Sequence, residues 1–257
     1  MLGGDLQRSL PMTTLEENIE LAKSQFKTYQ CPQLSTSGPS PTELADFIDH
    51  TNLKPEAKEA DILNLCREAL EYNFKTICIN SSWLPLCVEI LGRTPGPVPI
   101  VVVGFPLGAC TTEIKAFEAK NAISHGAKEI DMVIHVGRLK SRDYKYVYQD
   151  IKAVYEACGS IPLKVILETC LLTTEEIIAA CVICREIGTA FVKTSTGFGG
   201  AGATATHVAL MKAVVGENIQ VKASGGIRTY EDAVKMYNAG ARRIGASSSV
   251  SIVTKKV

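Results

Sequence analysis

The chain has 257 residues, of which 46% are hydrophobic, and its 27 basic and 27 acidic side chains give a formal net charge of zero. This length suits one large domain or two small ones, and a balanced charge without a basic stripe argues against a nucleic-acid-binding protein. No apolar run approaches the roughly 18 residues that a membrane span needs, so neither a membrane nor a nucleic-acid partner is expected. The composition predicts a soluble protein that acts on small molecules.

The first 42 residues differ in pattern from the rest of the chain. Segment 13–30, TTLEENIELAKSQFKTYQ, has apolar residues at helical spacing and lacks the basic flank and apolar centre of a signal peptide. Segment 31–41, CPQLSTSGPSP, has the composition of a linker. We predict an N-terminal extension over 1–42, a helix followed by a linker, which packs on the main domain (43–257) or on a partner subunit.

From residue 44 onward, short strands alternate with helices. Strands are predicted at 44–49, 74–80, 99–105, 127–136, 163–168, 189–193, 219–224 and 242–247. Helices are predicted near 56–71, 82–91, 112–125, 141–157, 173–187, 204–215 and 229–239. Strands separated by helices are joined by right-handed crossovers into a parallel sheet, and eight such units favour a single (β/α)8 TIM barrel. An open, doubly wound α/β sheet is the alternative.

Charged side chains recur within these strands or at their ends. In a TIM barrel the catalytic groups come from the carboxyl ends of the strands and from the loops that follow. The candidates are Asp49, Asp131, Lys164, Glu168, Lys193 and Lys222. A charged group in an apolar strand is unfavourable unless it is paired, so the convergence of these groups on one barrel interior predicts a functional site.

Two of the lysines precede loops rich in Gly, Ser and Thr: Lys193 in FVKTSTGFGG and Lys222 in VKASGGIRT. A lysine is a nucleophile only when neutral, and its ordinary pKa of about 10.4 leaves little free amine near neutral pH. A second ammonium about 4 Å away costs roughly 4 kcal/mol at an effective dielectric constant near 20, equivalent to about three pKa units. We therefore predict a Schiff-base lysine whose pKa is lowered by another lysine, with Lys164 nearby. Pairing of each lysine with an acid is the alternative, and spacing alone does not identify the nucleophile.

An imine mechanism also needs a group that moves protons on and off the intermediates. Asp131, between apolar neighbours in EIDMVIHVG, is the candidate, and a static counter-ion is its alternative role. Asp49 in FIDHTNL either orients a lysine or caps its loop. Cys78 is either a packed thiol or a group close enough to an aldehyde to be modified.

The loops after the last three strands predict a phosphate site. They are TSTGFGG (194–200), SGGIR (224–228) and GASSS (245–249). Backbone amides of glycines, serine hydroxyls and a helix N-terminus can all bind an anion, and TIM barrels commonly bind phosphate here. No P-loop, dinucleotide fingerprint or metal-ligand cluster occurs in the sequence, so we expect neither a cofactor nor a metal.

Nine cysteines in a chain of this length indicate reduced thiols in a cytoplasmic protein. Cys181 and Cys184 have C-x-x-C spacing within a predicted helix, without a second Cys or His pair nearby. Packing is therefore favoured for this pair over a metal or redox role.

Six segments in the same order resemble the deoxyribose-phosphate aldolase family, from about residue 43 to residue 253. They are FIDHTNLKPEA (47–57), VVGFPLGACTTEIKAFEA (102–119), EIDMVIHVGRLKSRDY (129–144), LKVILETCLLTTEE (163–176), FVKTSTGFG (191–199) and VKASGGIRTYEDAVKMYNAGARRIGASS (221–248). The resemblance implies a TIM-barrel class I aldolase over 43–257. Such an enzyme reversibly cleaves 2-deoxy-D-ribose 5-phosphate to acetaldehyde and D-glyceraldehyde 3-phosphate.

The resemblance also implies roles for individual residues. Lys193 would form the Schiff base, Lys222 would lower its pKa, and Asp131 would be the proton-transfer acid/base. Lys164 and Asp49 would support this network. The substrate- and phosphate-binding residues would be Thr51, Cys78, Thr196, Gly197, Phe198, Gly225, Gly226, Ser247 and Ser248.

The chain departs from the family pattern at several positions. His135 and Arg138 stand where relatives more often have Asn and Ala, Ser249 stands where Gly is usual, and KKV ends the chain without the tyrosine of some relatives. These differences bear on substrate affinity and proton transfer. Two other functions stay open: a phosphate-binding barrel isomerase with Glu168 as its base, and a non-catalytic scaffold. A homodimer is expected, because closed two-fold dimers are the commonest assemblies.

Overall fold

In the computed structural model, which describes residues 12–92 and 95–255, eight parallel strands close into a barrel. Each strand pairs with the next along the chain, and β8 pairs with β1. The strands are β1 Ile48–Asn52, β2 Thr76–Ile79, β3 Val98–Val103, β4 Glu129–Val133, β5 Leu163–Ile166, β6 Phe191–Lys193, β7 Gln220–Ser224 and β8 Ala241–Ala246. The predicted TIM barrel is therefore confirmed, and the open sheet is wrong.

Helices surround the barrel and connect successive strands. They are α1 Met12–Gln25, α2 Pro41–Leu44, α3 Glu59–Glu71, α4 Leu84–Leu91, α5 Thr112–Ser124, α6 Val136–Lys140, α7 Tyr144–Cys158, α8 Thr174–Ile187, α9 Ala205–Val215, α10 Tyr230–Asn238 and α11 Ser249–Val253. One-turn 3-10 helices occupy Ala45–Phe47, Ser81–Trp83 and Thr169–Leu171.

The main apolar core lies between the strands and the surrounding helices. Strand β4 shows how the sequence produces it. Successive side chains of a strand point to opposite faces, so Ile130 and Met132 join the main core while Asp131 points into the barrel. The same alternation in β1, β5, β6, β7 and β8 collects charged side chains inside the barrel, whereas Cys78 of β2 and Ile100 and Val102 of β3 form a small apolar cluster apart from the main core.

The predicted first strand, 44–49, is misplaced, because β1 begins at Ile48. The residues before it form helical turns. Ser40 accepts a hydrogen bond from the Glu43 backbone amide, the Glu43 carboxylate accepts one from the Ser40 amide, and Pro41 occupies the first helical turn. This capping box is a helix-start signal within the sequence, and it overrides the apolar strand pattern of the next residues.

Helix α1 packs against α8 of the same chain. Leu15, Ile19 and Ala22 are buried in the main core, and the Asn18 amide donates a hydrogen bond to Glu186 of α8 at 3.3 Å. The predicted amphipathic helix is therefore confirmed, and it packs on the barrel. Residues 1–11 of the extension lie outside the described part of the chain.

The segment after α1 lies against α10. The side-chain amide of Asn238 donates hydrogen bonds to the carbonyls of Ser35 and Ser37, and the hydroxyl of Tyr230 donates one to the carbonyl of Pro39. The linker of the sequence analysis is thus held on the barrel by backbone contacts. The division of the chain at residues 42 and 43 stays a prediction.

Candidate active site

Three of the predicted catalytic side chains meet inside the barrel. Lys193 is the last residue of β6, and Asp131 and Lys222 lie in the middle of β4 and β7. The nitrogens of both lysines lie 2.8 Å from the same Asp131 oxygen, Oδ2. Those nitrogens are therefore no farther apart than twice that distance, close enough for the charge of one to influence the other.

The two lysines have opposite electrostatic environments. Burial lowers the pKa of Lys193, contact with Asp131 raises it, and the charge of Lys222 lowers it, so that it lies below the ordinary lysine value. Burial also lowers the pKa of Lys222, but the carboxylates of Asp131 and Asp49 outweigh burial and raise it. Lys193 is thus the lysine that loses its proton more readily, a distinction that the spacing of residues did not supply.

Asp131 is ionised at neutral pH. Burial raises its pKa, but ion pairs with Lys164, Lys193 and Lys222 outweigh burial and hold the pKa well below its usual range. Its Oδ1 accepts a hydrogen bond from Lys164 at 2.8 Å, while Oδ2 contacts the other two lysines. In the absence of substrate, this carboxylate is therefore a proton acceptor and not an acid.

Two further charged residues lie deeper in the barrel. The Lys164 nitrogen is 2.5 Å from Oε2 of Glu129, and Nη1 of Arg243 is 2.9 Å from the same oxygen. Nη2 of Arg243 donates to the other Glu129 oxygen at 3.2 Å, so the contact between these side chains is bidentate. Neither Glu129 nor Arg243 was among the predicted site residues.

Asp49 closes this arrangement. Its Oδ1 accepts hydrogen bonds from Arg243 at 2.7 Å and from the Thr76 hydroxyl at 2.6 Å, and its Oδ2 lies 2.5 Å from the Lys222 nitrogen. Burial raises the pKa of Asp49, but Lys222 and the other nearby cations lower it overall. We call the resulting closed circuit the charge ring. Its members in order are Asp131, Lys164, Glu129, Arg243, Asp49 and Lys222.

The sequence carried part of the signal for the two missed residues. Glu129 precedes Asp131 by two positions in β4, so both side chains point to the same face of the strand. For Arg243 the choice was open, because Arg242 is its neighbour and either could have pointed inward. In the structure, Arg242 lies over the outer Tyr237 ring at 4.6 Å, and Arg243 lies inside the barrel.

Gly245 makes room for Lys222. A Cβ atom at this position would lie 3.1 Å from Cε of Lys222 and 3.0 Å from Cβ of Ser224. The sequence analysis assigned Gly245 to a phosphate loop, but it lies within β8. Its absent side chain therefore lets the buried lysine extend across the barrel.

A cavity of about 550 Å³ opens above Lys193 at the carboxyl ends of β1, β6, β7 and β8. The predicted site residues that line it are Thr51, Lys193, Thr196, Gly197, Phe198, Gly225, Gly226 and Ser247. Asp49, Asp131, Lys164 and Lys222 are fully buried beneath it. The cavity thus joins the reactive lysine to the predicted phosphate loops.

Two predicted substrate-binding residues are not among those that line the cavity. Cys78 is fully buried beside Ile100 and Val102, and burial raises the pKa of its thiol. Ser248 is the N-cap residue directly before α11. For Cys78, the packed-thiol alternative matches the structure.

The loops after β6 and β7 interlock through glycines. Gly197, Gly225 and Gly226 have φ angles of 88°, 86° and 78°, in the left-handed region that residues with a side chain rarely adopt. A Cβ on Gly202 would collide with the Gly225 carbonyl oxygen, and the Ala203 amide donates a hydrogen bond to that oxygen at 3.0 Å. This close approach fixes the two loops against each other, and Gly197, Gly225 and Gly226 line the cavity.

Glu168 lies beyond the end of β5, not within it, and its backbone is left-handed with a φ of 56°. Its carboxylate accepts hydrogen bonds from the hydroxyl and the backbone amide of Thr196. The Thr196 hydroxyl in turn accepts a hydrogen bond from the Phe198 amide at 3.0 Å. Glu168 therefore holds the loop after β6 in place.

The departures at His135, Arg138 and Ser249 are accommodated outside the cavity. The Ser249 hydroxyl is buried 2.9 Å from Nδ1 of His50, and Nε2 of His50 lies 2.8 Å from Glu68. His135 accepts a hydrogen bond from the Arg138 amide where α6 begins. The last two residues of the chain, 256 and 257, lie outside the described part.

The Cys181 and Cys184 side chains are packed in the core. Both are fully buried in α8, and burial raises the pKa of both thiols. Within 12–92 and 95–255, no group of three or more His, Cys, Asp or Glu side chains is arranged to bind a metal. Nor does any helix in those ranges have the length and apolar character to cross a membrane.

Comparisons with known proteins agree with this geometry. Residues 44–254 match the sequence profile of the DeoC/LacD family aldolases. The chain is 57% identical over 211 residues to the deoxyribose-phosphate aldolase of Histophilus somni, a match that covers 82% of this chain and 94% of that protein. It is 56% identical over 215 residues to the enzyme of the same name from Clostridium kluyveri, covering 83% and 98%.

Solved structures support the same assignment. A Coccidioides immitis structure, assigned to a deoxyribose-phosphate aldolase, has a TM-score of 0.90 and 44% identity and covers 95% of this chain and 97% of its own. The tetrameric deoxyribose-phosphate aldolase of Aeropyrum pernix has a TM-score of 0.77 and 31% identity, covering 93% and 96%. The profile match and these relatives, which align over nearly their whole lengths, show that this chain belongs to the DeoC/LacD family of aldolases.

Proposed function

We propose that this chain is a Schiff-base aldolase that reversibly cleaves 2-deoxy-D-ribose 5-phosphate to acetaldehyde and D-glyceraldehyde 3-phosphate. One observation carries the proposal. Lys193 lines the cavity with a lowered pKa, and it shares an oxygen of Asp131 with Lys222, whose pKa is raised. A neutral amine beside a charged lysine and an ionised carboxylate is the arrangement that imine formation needs.

Imine formation begins with attack by the neutral Lys193 nitrogen on C1 of the open-chain sugar. The product is a carbinolamine, and its hydroxyl leaves as water when the C–O bond breaks. Asp131 accepts the proton that the nitrogen loses and passes it to the former carbonyl oxygen, which becomes the carbinolamine hydroxyl. A second proton, taken up from water through the pair of Asp131 and Lys222, lets this hydroxyl leave as water. The result is a positively charged iminium on Lys193, formed from one amine, one aldehyde and one proton.

Cleavage follows because the iminium draws electrons from the neighbouring bond. A base removes the proton of the 3-hydroxyl, the C2–C3 bond breaks, and its electron pair forms the enamine on Lys193. Glyceraldehyde 3-phosphate departs. The enamine carbon then takes up a proton, and water hydrolyses the imine to acetaldehyde and free lysine. We assign the proton transfers to Asp131, which is the carboxylate in contact with the reacting nitrogen.

We assign the phosphate of the substrate to the side of the cavity formed by the loops after β6, β7 and β8. Gly197, Gly225, Gly226 and Ser247 line this side, together with the cationic Arg228. The left-handed glycines bring backbone amides to the surface without a side chain in the way. A phosphate bound there leaves the aldehyde end of the sugar to reach Lys193.

Borohydride trapping followed by peptide mass spectrometry tests the proposal. Reduction in the presence of deoxyribose 5-phosphate or acetaldehyde is expected to leave a stable adduct on Lys193. An adduct on Lys222 would keep the aldolase but exchange the two lysines. The absence of any adduct in an active, folded protein would refute the imine mechanism.

The other two functions of the sequence analysis are not favoured. An isomerase would use Glu168 as its base, but the carboxylate of Glu168 is engaged by Thr196. A scaffold without activity would not need to retain Lys193, Lys222 and Asp131 in mutual contact.

A homodimer remains part of the proposal. Ile114 and Phe117 lie three residues apart on α5, and these residues are 56% and 68% exposed. A second copy of the chain would remove this apolar surface from water. Sedimentation velocity is expected to give a dimer for the wild type and a monomer for Phe117→Asp. A wild-type monomer, or a variant that stays dimeric, would contradict this assignment.

We also infer a cytoplasmic location. All nine cysteines are unpaired, and most are buried among apolar side chains, as expected in a reducing compartment. Cell fractionation tests this, and recovery in a secreted or membrane fraction would overturn it.

A further inference from the structure

Lys193 is the basic group that the carboxylates of the charge ring do not balance, although it contacts one of them. Around the ring, three basic and three acidic side chains alternate, so their formal charges cancel. Lys193 is attached to the ring only through Asp131. A protonated Lys193 therefore gives the interior a net positive charge, and a neutral Lys193 gives it none.

We propose that Glu129 and Arg243 are positioning residues that determine the protonation state of Lys193 through the charge ring, although neither touches the substrate. The inference rests on the proposed role of Lys193 as the imine-forming lysine. Glu129 lies two residues before Asp131 in β4, and Arg243 lies two residues before Gly245 in β8. Both are thus one layer deeper in the barrel than the reacting groups.

Glu129 is the acid that separates two cations of the ring. Its carboxylate contacts the Lys164 nitrogen at 2.5 Å and both terminal nitrogens of Arg243, at 2.9 and 3.2 Å. The Phe191 ring contacts the same two cations, since its centre is 5.7 Å from Lys164 Nζ and 5.2 Å from Arg243 Cζ. Phe191 lies two residues before Lys193 in β6, so these cations are fixed beneath the nucleophile.

Burial makes the balance of charge matter. Glu129 is 9% exposed and Arg243 is 6% exposed, so water and salt screen their charges weakly. An uncompensated charge in such an interior is unfavourable, and the group that can remove it by losing a proton does so. Lys193 is that group, since it has a single carboxylate contact whereas Lys222 has two.

The other titratable groups near these residues do not replace the ring. The Cys78 thiol faces the lysines, and burial raises its pKa, so it stays neutral. Glu168 lies above Lys193 with its carboxylate bound to Thr196. Asp49 and Lys164 face Arg243 and Glu129, and both are members of the ring itself.

Opposite substitutions in this deeper layer should move the pKa of Lys193 in opposite directions. Glu129→Gln removes a negative charge, so it is expected to move the ascending limb of the pH profile for borohydride trapping down by about one pH unit. Arg243→Met removes a positive charge and is expected to move the limb up by about one pH unit. The double variant should return close to the wild type. A defect of folding would instead weaken trapping in both single variants.

Matched controls separate charge from shape. Arg243→Lys keeps the charge and should leave the limb in place. Asp150→Asn removes the 2.6 Å partner of Lys115, another fully buried lysine, which lies between α5 and α7 outside the barrel, and should not move the limb either. Circular dichroism and thermal unfolding establish that each variant is folded. If Arg243→Met does not fold, the inference is still tested by the other two variants. The limb should be displaced in Glu129→Gln and unchanged in Arg243→Lys.

The outcomes are distinct. Limbs that move in the same direction in the two single variants, or folded variants with unmoved limbs, would overturn the inference. In that case the wild type would still form an adduct on Lys193. Failure of the wild type to form that adduct would refute the proposed function instead.

Discussion

Replacement of Lys193 by alanine is expected to abolish aldol cleavage and leave the barrel folded. No imine can form without the amine, so turnover should fall by about 10⁴-fold or more. The Asp131 carboxylate keeps Lys164 and Lys222 as partners, and no charged group is left unpaired. Turnover of deoxyribose 5-phosphate, measured by coupled detection of the released aldehydes, checks the first part, and circular dichroism checks the second.

The stability of the same variant gives an independent reading. The pKa of Lys193 is lower in the folded chain than its ordinary value. Protonation therefore favours the unfolded chain, and this cost is fully present at pH values below the folded pKa and disappears as the pH rises above the unfolded pKa. Lys193→Met, which keeps most of the side-chain volume, should thus be at least as stable as the wild type near neutral pH. Retained turnover in either variant would refute the assignment of the nucleophile.

Replacement of Lys222 by leucine is expected to move the ascending limb of the pH–rate profile upward by about one to three pH units. Lys222 carries its charge throughout the working range, because contact with Asp131 and Asp49 raises its pKa. Its removal takes a positive charge away from Lys193 and raises the pKa of Lys193. The neutral amine then appears only at higher pH, so activity at neutral pH falls about tenfold for each pH unit by which the limb moves.

The pH dependence of kcat/KM measures this displacement in the free enzyme. Lys115→Leu is the matched control, because Lys115 is also fully buried and paired with an aspartate, Asp150, but lies outside the barrel. Its limb should coincide with that of the wild type. If Lys222→Leu folds and its limb does not move, the charge that tunes Lys193 lies elsewhere in the ring.

The fold was largely predictable because its periodicities are local. Eight apolar runs separated by helical patterns predicted the barrel. The boundaries of the predicted strands are mostly within a few residues of the observed ones. The prediction of the first strand was wrong at its start. The capping box of Ser40 and Glu43 begins a helical turn, and this turn includes residues whose apolar pattern resembles a strand. Glu168 was placed in β5 for a similar reason, since the sequence does not show that its backbone becomes left-handed.

The site was predictable only in part. Lys193, Lys222 and Asp131 could be selected as charged residues of apolar strands, and the family resemblance supplied their roles. Cys78 and Ser248 were expected at the substrate, yet neither is among the residues that line the cavity. Such errors arise because a residue's place at a strand end determines its position along the barrel axis. It does not determine whether other residues bury its side chain away from the cavity.

The sequence by itself determined the eight strands, the long helices between them, and which loops carry glycines and hydroxyls, because these depend on neighbours along the chain. Only the tertiary structure decided which charges touch. Asp131 and Lys222 are 91 residues apart, and Arg243 and Asp49 are 194 residues apart. Closure of the barrel brings them within hydrogen-bonding distance, and this contact, not any local pattern, distinguishes the lysine that loses its proton from the lysine that keeps it.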